Sequence, residues 1–257
     1  MIICVPYAFL MRYPDSNSEH LDDVVYGTEC EVLDTLAGFC RVRTSYGYQG
    51  YVRQEQLAEK LAEPNRVVTA KWADLVRDPK NFHAPELTLP FGALVDAGYP
   101  REYPEYAMIV LPDKRMFWVR SKHLGAIPAQ TDEQTARRTI CETAQSFLGV
   151  QYRWGGRTHA GVDCSGLAFT SYRAAGINVW RDADIDKNPN MRRIAKEELA
   201  PGDLIFFPGH VAVYLGEGRF IHASSSAARV CYASLNKEDP EYNEWCAEHI
   251  LCAATVF

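Results

Sequence analysis

The spacing of apolar and polar positions divides the chain into an N-terminal part rich in short strands and a C-terminal part that mixes helices with strands. A strand is indicated where apolar and polar residues alternate over a few positions between turn residues. In the N-terminal part this pattern predicts strands at residues 1–11, 29–34, 39–44, 50–53, 65–70, 88–95, 106–111 and 116–120. Residues 14–19 form a polar loop, and residues 54–60 favour one helical turn. Residues 119–124 weakly repeat the pattern of residues 52–57.

Helical spacing first appears after residue 130. A capping-box pattern at residues 131–134 opens a helix that Gly149 would end, and a second helix follows Cys164 and would end at Gly176. Strands are predicted at residues 204–207, 210–215, 219–223 and 250–256. Residues 180–190 are polar and irregular, which favours a loop at the edge of a cleft, and residues 238–245 form an acidic surface segment.

Composition narrows the class of protein without identifying it. The 257 residues have 47% hydrophobic and 23% charged positions, as in an ordinary globular protein. A net charge of −6 argues against nucleic acid or an anionic membrane as the main partner. No apolar run approaches the roughly 18 residues that span a bilayer. The first residues lack the basic region and cleavage site of a signal peptide, so we expect a cytoplasmic protein whose eight cysteines are reduced, unless a leader has been removed.

Cys164 lies at the start of the second predicted helix, in the stretch Asp163-Cys164-Ser165-Gly166. Unpaired backbone N–H groups and the positive end of the helix dipole favour a thiolate there, and Gly166 would leave the approach to the sulfur open. Most cysteines are small buried hydrophobes without chemical function. This one lies among small and polar residues instead, so it is a candidate nucleophile. The remaining seven cysteines are interpreted as core residues.

Two histidines supply the partners that a catalytic thiol needs. His210 opens one predicted strand and His222 lies in the next, joined by a short glycine-containing loop that indicates a hairpin. Thiol catalysis needs a base beside the sulfur and a group that orients the base. We predict His210 as the base and His222 as its orienter. Zinc binding is the other interpretation, but Cys164 has no nearby cysteine at metal-ligand spacing, so neither metal nor cofactor is predicted.

The ordered set Asp163-Cys164-Ser165-Gly166, then Pro201-Gly202-Asp203, His210 and Ile221-His222-Ala223 resembles the NlpC/P60 family of cysteine peptidases. The resemblance implies an α+β protein with a papain-like catalytic domain at residues 126–257. Residues 1–62 and 63–125 resemble two small SH3-like (SH3b) β-barrels, the first through Tyr48-Gln49-Gly50-Tyr51-Val52 and the second more divergently.

Chains with this arrangement are similar to the γ-D-glutamyl-L-diamino acid endopeptidases. The resemblance implies cleavage between D-Glu and Lys or diaminopimelate in cell-wall peptides with a free N-terminal L-Ala, releasing L-Ala-D-Glu during murein recycling. It assigns the free amine to Asp163 and Ser165, with Glu19 and Tyr48 from the first SH3-like domain and Trp154 as a wall of the pocket. Asp163 is also suited to cap the helix, Glu19 to be a solvated loop carboxylate, and Tyr48 to be a packing residue.

Three other functions are compatible with the same residues. One is an exported hydrolase that the SH3-like domains target to intact cell wall. Another is a binding protein with an inactive papain-like domain, which the intact set of Cys164, His210 and His222 argues against. The third is an acyltransferase, because an amine can replace water at the acyl-enzyme. The sequence leaves open the choice between Lys and diaminopimelate, and the oligomeric state.

Overall fold

The computed structural model describes all 257 residues and divides into two compact units, Met1–Ile127 and Pro128–Phe257. Strands make up most of the regular structure, together with three α-helices. None of these helices is long and apolar enough to cross a membrane. The division at residue 127 falls two residues after the end of the predicted second SH3-like domain.

The first half of the N-terminal unit is built from antiparallel strands. They are β1 (Ile2–Ile3), β2 (Tyr7–Met11), β3 (His20–Val25), β4 (Cys30–Leu36), β5 (Phe39–Thr44), β6 (Gln49–Arg53) and β7 (Leu57–Ala58). Five of them form one sheet in the order β3-β2-β6-β5-β4, and β1 pairs with β7. The sheet is open, with β3 and β4 at its edges. Leu10, Val24, Val42 and Val52 are fully buried and form its apolar face.

The second half of this unit contains β8 (Arg66–Val68), β9 (Trp72–Leu75), β10 (Leu87–Pro90), β11 (Leu94–Val95), β12 (Ala97–Gly98), β13 (Tyr106–Val110), β14 (Met116–Arg120) and β15 (Leu124–Gly125). These strands form three small sheets, β10-β9, β11-β8-β15 and β12-β13-β14. Their shared core includes Leu75, Leu89, Ile109 and Phe117. Strand pairing in the N-terminal unit thus stays within residues 2–58 or within residues 66–125, and none of these sheets closes into a barrel.

Several predicted strands of this unit differ from the structure. The strand predicted at residues 1–11 is two strands, interrupted before Pro6, and the one at 88–95 is broken by a turn at Gly92, whose φ is 83°. β3 and β9 were not predicted. β3 contains two consecutive aspartates, Asp22 and Asp23, which disfavour a strand by propensity yet are fully buried here.

The C-terminal unit packs two helices against one antiparallel sheet. Its elements are α1 (Glu133–Ser146), β16 (Arg157–Thr158), β17 (Gly161–Val162), α2 (Cys164–Ala174), β18 (Arg192–Ile194), β19 (Leu204–Phe207), β20 (His210–Gly216), β21 (Arg219–Ser224), β22 (Arg229–Ser234), α3 (Glu244–Glu248) and β23 (Cys252–Thr255). The six-stranded sheet has the order β18-β23-β19-β20-β21-β22, and β16 pairs separately with β17. β18 and β22 were not predicted, and α1 is capped by Asp132, whose carboxylate accepts from the Thr135 N–H at 2.9 Å.

The packing of α2 places its first turn beside the hairpin of β20 and β21. α2 packs on α1, on β20 and on β21. Leu167, Phe169 and Tyr172 are buried on the helix, and the Tyr172 hydroxyl donates to the Gly202 carbonyl at 2.5 Å. Gly202 precedes β19, so this bond ties the helix to the turn that leads into the sheet.

Candidate active site

Cys164 is the first residue of α2, and Asp163 is its N-cap. The Asp163 carboxylate accepts from the Gly166 N–H at 2.6 Å, which satisfies one of the backbone donors left free at a helix start. The predicted helix start and the capping role of Asp163 are both present. Cys164 itself is 9% exposed, so its sulfur is more buried than a position on an open turn would suggest.

Gly166 has a different function from the one expected. A Cβ at this position would lie 2.2 Å from the Gly156 carbonyl oxygen and 2.9 Å from Asp163 Oδ1. The missing side chain therefore allows α2 to pack directly on the backbone of the preceding turn. We expected an open approach to the sulfur, whereas the structure shows a close backbone contact that fixes the first turn of the helix.

The two predicted histidines meet across the hairpin. His210 opens β20 and His222 lies in the middle of β21, so neighbouring antiparallel strands place their side chains together. His210 Nε2 is 2.8 Å from His222 Nδ1. The rings cross at 68°, and the Phe220 ring packs edge-on against His222 at 5.2 Å. Because Nε2 of His210 lies against His222, Nδ1 is the other ring nitrogen that can exchange a proton.

Burial keeps all three groups neutral. It lowers the pKa of His210 to about 4, and burial with the neighbouring His210 lowers the pKa of His222 to about 3. Burial also raises the pKa of Cys164 to about 11, and the Asp163 carboxylate raises it further. The N–H groups of Val211 and Ser165 and the Arg181 cation act in the opposite direction. We expected the helix terminus to favour the thiolate, but desolvation is the larger effect.

Asp163 is saturated with hydrogen bonds. Its carboxylate accepts from the N–H groups of Gly155 at 2.7 Å and Gly166 at 2.6 Å, and from the Ser165 hydroxyl at 3.2 Å. Arg181 adds one bond to each oxygen, at 3.1 and 3.2 Å. Five donors exhaust the roughly four lone-pair sites of a carboxylate. The assignment of Asp163 and Ser165 to a substrate amine therefore stays a prediction, beside an internal structural role.

Sequence reasoning missed two residues near the sulfur. Arg181 was assigned to an irregular polar loop, yet it is 1% exposed. The other is Tyr152, which pairs with Val162, two residues before Cys164. Burial, followed by the charge of Cys164, raises the pKa of its phenol to about 12. The Tyr152-Arg153-Trp154 lead-in is the one sequence signal that marks Tyr152, and nothing local marks Arg181.

The other predicted substrate-binding residues are Trp154, Glu19 and Tyr48. Trp154 is 60% exposed on the turn whose next residue, Gly155, donates to Asp163. In the N-terminal unit, Glu19 is exposed and forms an ion pair with Arg12 at 2.5 Å. Tyr48 is buried there, and its N–H donates to the Thr44 hydroxyl at 3.1 Å. The predicted roles of all three in substrate binding stay predictions.

The chain is similar in sequence and in fold to several known proteins. The model of the NlpC/P60 family matches residues 149–248, which include Cys164, His210 and His222. Dipeptidyl-peptidase 6 of Lysinibacillus sphaericus is 30% identical over 100% of this chain and 99% of its own length. A γ-D-glutamyl-L-lysine dipeptidyl-peptidase of Bacillus cereus is 29% identical over 86% of this chain and 72% of its own. The crystal structure of an NlpC/P60 family protein from Bacillus cereus superposes with a TM-score of 0.80, at 23% identity, over 98% of this chain and 97% of that one.

Proposed function

The chain belongs to the NlpC/P60 family of cysteine peptidases, and from that premise we propose that it cleaves the γ-D-Glu–L-diamino acid bond of cell-wall peptides with a free N-terminal L-Ala. The observation that supports this most is the 2.8 Å contact between His210 and His222 beside a helix that begins at Cys164. The relatives named dipeptidyl-peptidases align over most of this chain, which supports the same substrate class.

In the proposed reaction, Cys164 attacks the γ-carbonyl carbon of D-Glu while its proton moves to Nδ1 of His210. For Nδ1 of His210 to act as base, its hydrogen must be on Nε2, which lies 2.8 Å from Nδ1 of His222. In the proposed reaction His210 Nε2–H therefore donates to His222, and this bond fixes the required tautomer. Because the thiol and the imidazole are both neutral at rest, proton transfer accompanies formation of the carbon–sulfur bond rather than preceding it.

The oxyanion formed in that step needs hydrogen-bond donors. The backbone N–H of Cys164 lies at the start of α2, where the helix offers unpaired donors. We propose the phenol of Tyr152 as the second donor, because Tyr152 pairs with Val162, two residues before Cys164. A phenol is protonated at neutral pH even at its ordinary pKa of about 10, and burial raises the pKa of Tyr152 to about 12. A Tyr152→Phe variant is expected to lose about 100-fold in kcat, the usual loss when one oxyanion donor is removed.

Collapse of the intermediate breaks the carbon–nitrogen bond as protonated His210 gives its proton to the leaving amine. Water then attacks the thioester, His210 takes a proton from that water, and the carbon–sulfur bond breaks. L-Ala-D-Glu leaves, and the thiolate recovers its proton. The chain's own groups supply every proton that moves, apart from those of the water.

Recognition of the free amine is the part of the proposal that depends on resemblance. It retains Glu19, Tyr48, Trp154, Asp163 and Ser165 as substrate-binding residues. Asp163 is held by five internal donors, so we propose that it contributes as part of a fixed, polar wall. Glu19 then becomes the more informative carboxylate to test, since its side chain is exposed and forms an ion pair with the guanidinium of Arg12.

We propose that residues 1–62 and 63–125 are two SH3-like domains. The separation of strand pairing between residues 2–58 and 66–125 supports that division. A cytoplasmic location and a role in the recycling of murein peptides belong to the same proposal and rest on the sequence alone.

The decisive experiment compares L-Ala-γ-D-Glu-L-Lys with its N-acetylated form, and repeats the pair with diaminopimelate. We expect release of L-Ala-D-Glu from the free-amine peptides, measured by mass spectrometry, and its loss in Cys164→Ala. Cys141→Ala is the matched control, because Cys141 is half-buried in α1 and its thiol contacts the Tyr214 carbonyl instead. Cleavage that survives Cys164→Ala would overturn the proposed mechanism.

A second comparison tests the amine site alone. Glu19→Gln is expected to reduce the preference for the free amine about tenfold, since one charge-assisted hydrogen bond is lost. Glu31→Gln is its control, because Glu31 forms a similar exposed pair with Arg43 at 2.7 Å in the same unit. Equal cleavage of acetylated and free peptides by the unmodified protein would retain the peptidase and remove the amine site.

A further inference from the structure

Arg181 is a buried cation that the proposed reaction does not use. It lies in the irregular segment between α2 and β18 and is 1% exposed. One guanidinium nitrogen, Nη1, donates to Asp163 Oδ1 at 3.1 Å and to the Ser165 hydroxyl at 3.0 Å. The other, Nη2, donates to Asp163 Oδ2 at 3.2 Å and to the Gly156 carbonyl at 3.3 Å. An arginine is seldom this buried unless its charge is compensated.

These bonds connect the two backbone segments that form the nucleophile's surroundings. Asp163 and Ser165 flank Cys164 directly, and Gly156 belongs to the turn on which α2 packs. A planar guanidinium bound to both oxygens of a carboxylate fixes the orientation of that carboxylate, which a single point contact would not do. Arg181 thus restrains the residues on both sides of Cys164 and the turn below them.

The ion pair also removes an electrostatic obstacle. Asp163 is 6% exposed and adjacent in sequence to Cys164, so its negative charge would oppose the negative charge that develops on the sulfur. A buried carboxylate without its partner is strongly unfavourable. Arg181 supplies the compensating positive charge at hydrogen-bond distance.

We propose that Arg181 is a positioning residue for the nucleophile, and that its two-point ion pair with Asp163 fixes the first turn of α2 and cancels the carboxylate charge beside Cys164. The inference deepens the proposed function and rests on Cys164 as the nucleophile.

The charges around the sulfur agree with this role. Asp163 raises the pKa of the Cys164 thiol, and Arg181 lowers it. Tyr152 is a neutral phenol, since burial and the charge of Cys164 raise its pKa to about 12. His210, with its partner histidine, is neutral because burial lowers its pKa to about 4. Among these titratable groups, Arg181 carries the positive charge at neutral pH.

The test measures the thiol itself, without substrate. Iodoacetamide alkylates the full-length protein over a range of pH, and mass spectrometry of the peptide that contains Cys164 gives the apparent pKa. In Arg181→Met we expect this pKa to rise by about one unit, and kcat at neutral pH to fall at least tenfold. In Arg181→Lys the charge remains and the two-point contact is lost, so the pKa stays near the wild-type value while kcat falls.

Removal of the carboxylate gives the complementary result. Asp163→Asn alone lowers the pKa of Cys164, and the double variant with Arg181→Met returns it toward the wild-type value, because no unpaired charge remains. These two variants also keep the inference testable if Arg181→Met fails to fold. The coupling appears in the pH profile of alkylation, which a merely structural role would not shift.

Arg137→Gln is the matched control. Arg137 forms a second arginine–aspartate pair in the C-terminal unit, 2.8 Å from Asp203, which is 1% exposed. We expect it to lower the melting temperature and leave the alkylation profile unchanged. If Arg181→Met behaves in the same way, the proposal is overturned. If Cys164→Ala still cleaves peptide, the proposed function fails, whereas the alkylation profile still decides the role of Arg181.

Discussion

Replacing Gly166 with alanine is the most direct test of how the structure positions the nucleophile. The new Cβ would lie 2.2 Å from the Gly156 carbonyl oxygen, and contacts of a real Cβ are seldom closer than 3.4 Å. The nearest atom belongs to the backbone, so no side-chain rotation relieves the clash. The first turn of α2 and the turn at Gly156 must therefore separate by about 1 Å, a displacement that alone costs on the order of 100-fold in rate when it moves a catalytic group.

Two opposing terms determine the effect of this substitution on stability. Alanine in place of glycine within a helix stabilises it by about 1 kcal/mol. Overpacking a rigid site costs about 1–3 kcal/mol, and here the displaced carbonyl also strains the Asp163 cap. We expect a net loss of about 1 kcal/mol, and a fall in kcat/KM of about 100-fold that this small loss of folded protein does not explain.

The assay combines urea unfolding with steady-state hydrolysis of L-Ala-γ-D-Glu-L-Lys. Gly98→Ala is the matched control, because a Cβ at Gly98 meets its nearest atom, the Met108 carbonyl oxygen, at 3.9 Å. We expect that variant to keep wild-type stability and rate. If Gly166→Ala proved more stable than wild type and equally active, the close contact with Gly156 would not position Cys164, and the reasoning would be refuted.

Three further outcomes follow from the geometry of the C-terminal unit. His222→Gln should lower kcat about 100-fold or more, because it removes the group that orients His210. His249→Gln, the control at an exposed histidine, should leave the hydrolysis kinetics unchanged. Equal losses in the two variants would contradict the role of His222. In the folded protein His210 and His222 have pKa values of about 4 and 3, whereas in the unfolded chain both are about 6.5. The unfolded chain therefore binds more protons between about pH 4 and pH 6.5. The free energy of unfolding should decrease as the pH falls through this range. Urea titrations at pH 7 and 5 measure this decrease, which should shrink when both histidines are replaced by glutamine. Asp203→Asn should lower the free energy of unfolding, measured with urea, by about 3 kcal/mol, because it breaks the ion pair between Arg137 and a buried carboxylate. Glu133→Gln removes the exposed carboxylate that pairs with the same arginine and should lower it by at most about 0.5 kcal/mol. Similar losses in the two variants would refute the argument that burial makes the Asp203 pair the stronger one.

The parts of the site that sequence could predict depend on neighbours within a few positions. Asp163 and Cys164 form a helix start because a short polar side chain can reach the backbone N–H three residues later. His210 and His222 face one another because a short loop joins two strands whose side chains alternate. These rules use only local chain geometry, so they could be applied before any fold was known.

The residues that were missed depend on contacts distant in sequence. Arg181 lies among polar residues and resembles a solvated loop arginine, and its burial results from packing against Asp163, 18 positions earlier. In the N-terminal unit, Asp22 and Asp23 disfavour a strand, yet β3 forms and buries both. Asp22 accepts from the Tyr46 hydroxyl at 2.5 Å, and Asp23 lies 3.2 Å from a ring nitrogen of His20. Such partners become visible only when the fold brings them together.

For Cys164, a correct local rule predicts the wrong direction for the shift of the thiol pKa. The helix terminus is present and its N–H groups do lower the pKa of the thiol, but the surrounding apolar residues desolvate the sulfur more strongly. Desolvation depends on β20 and β21, which pack against α2 and begin more than 40 positions after Cys164 in the sequence. The sequence could locate the nucleophile without determining its ionisation.

A neutral resting pair is compatible with catalysis once the charges are followed through the reaction. Ionising Cys164 and His210 together would create two buried charges before substrate arrives, which both pKa shifts oppose. Substrate changes this balance, because bond formation spreads the sulfur's charge onto the carbonyl oxygen, where the Cys164 N–H can stabilise it. Asp163 would oppose the same redistribution if it were unpaired, and Arg181 compensates it before the reaction begins. The charge of the carboxylate next to Cys164 is thus compensated before substrate binds, so reactivity develops in the transition state rather than in the free enzyme.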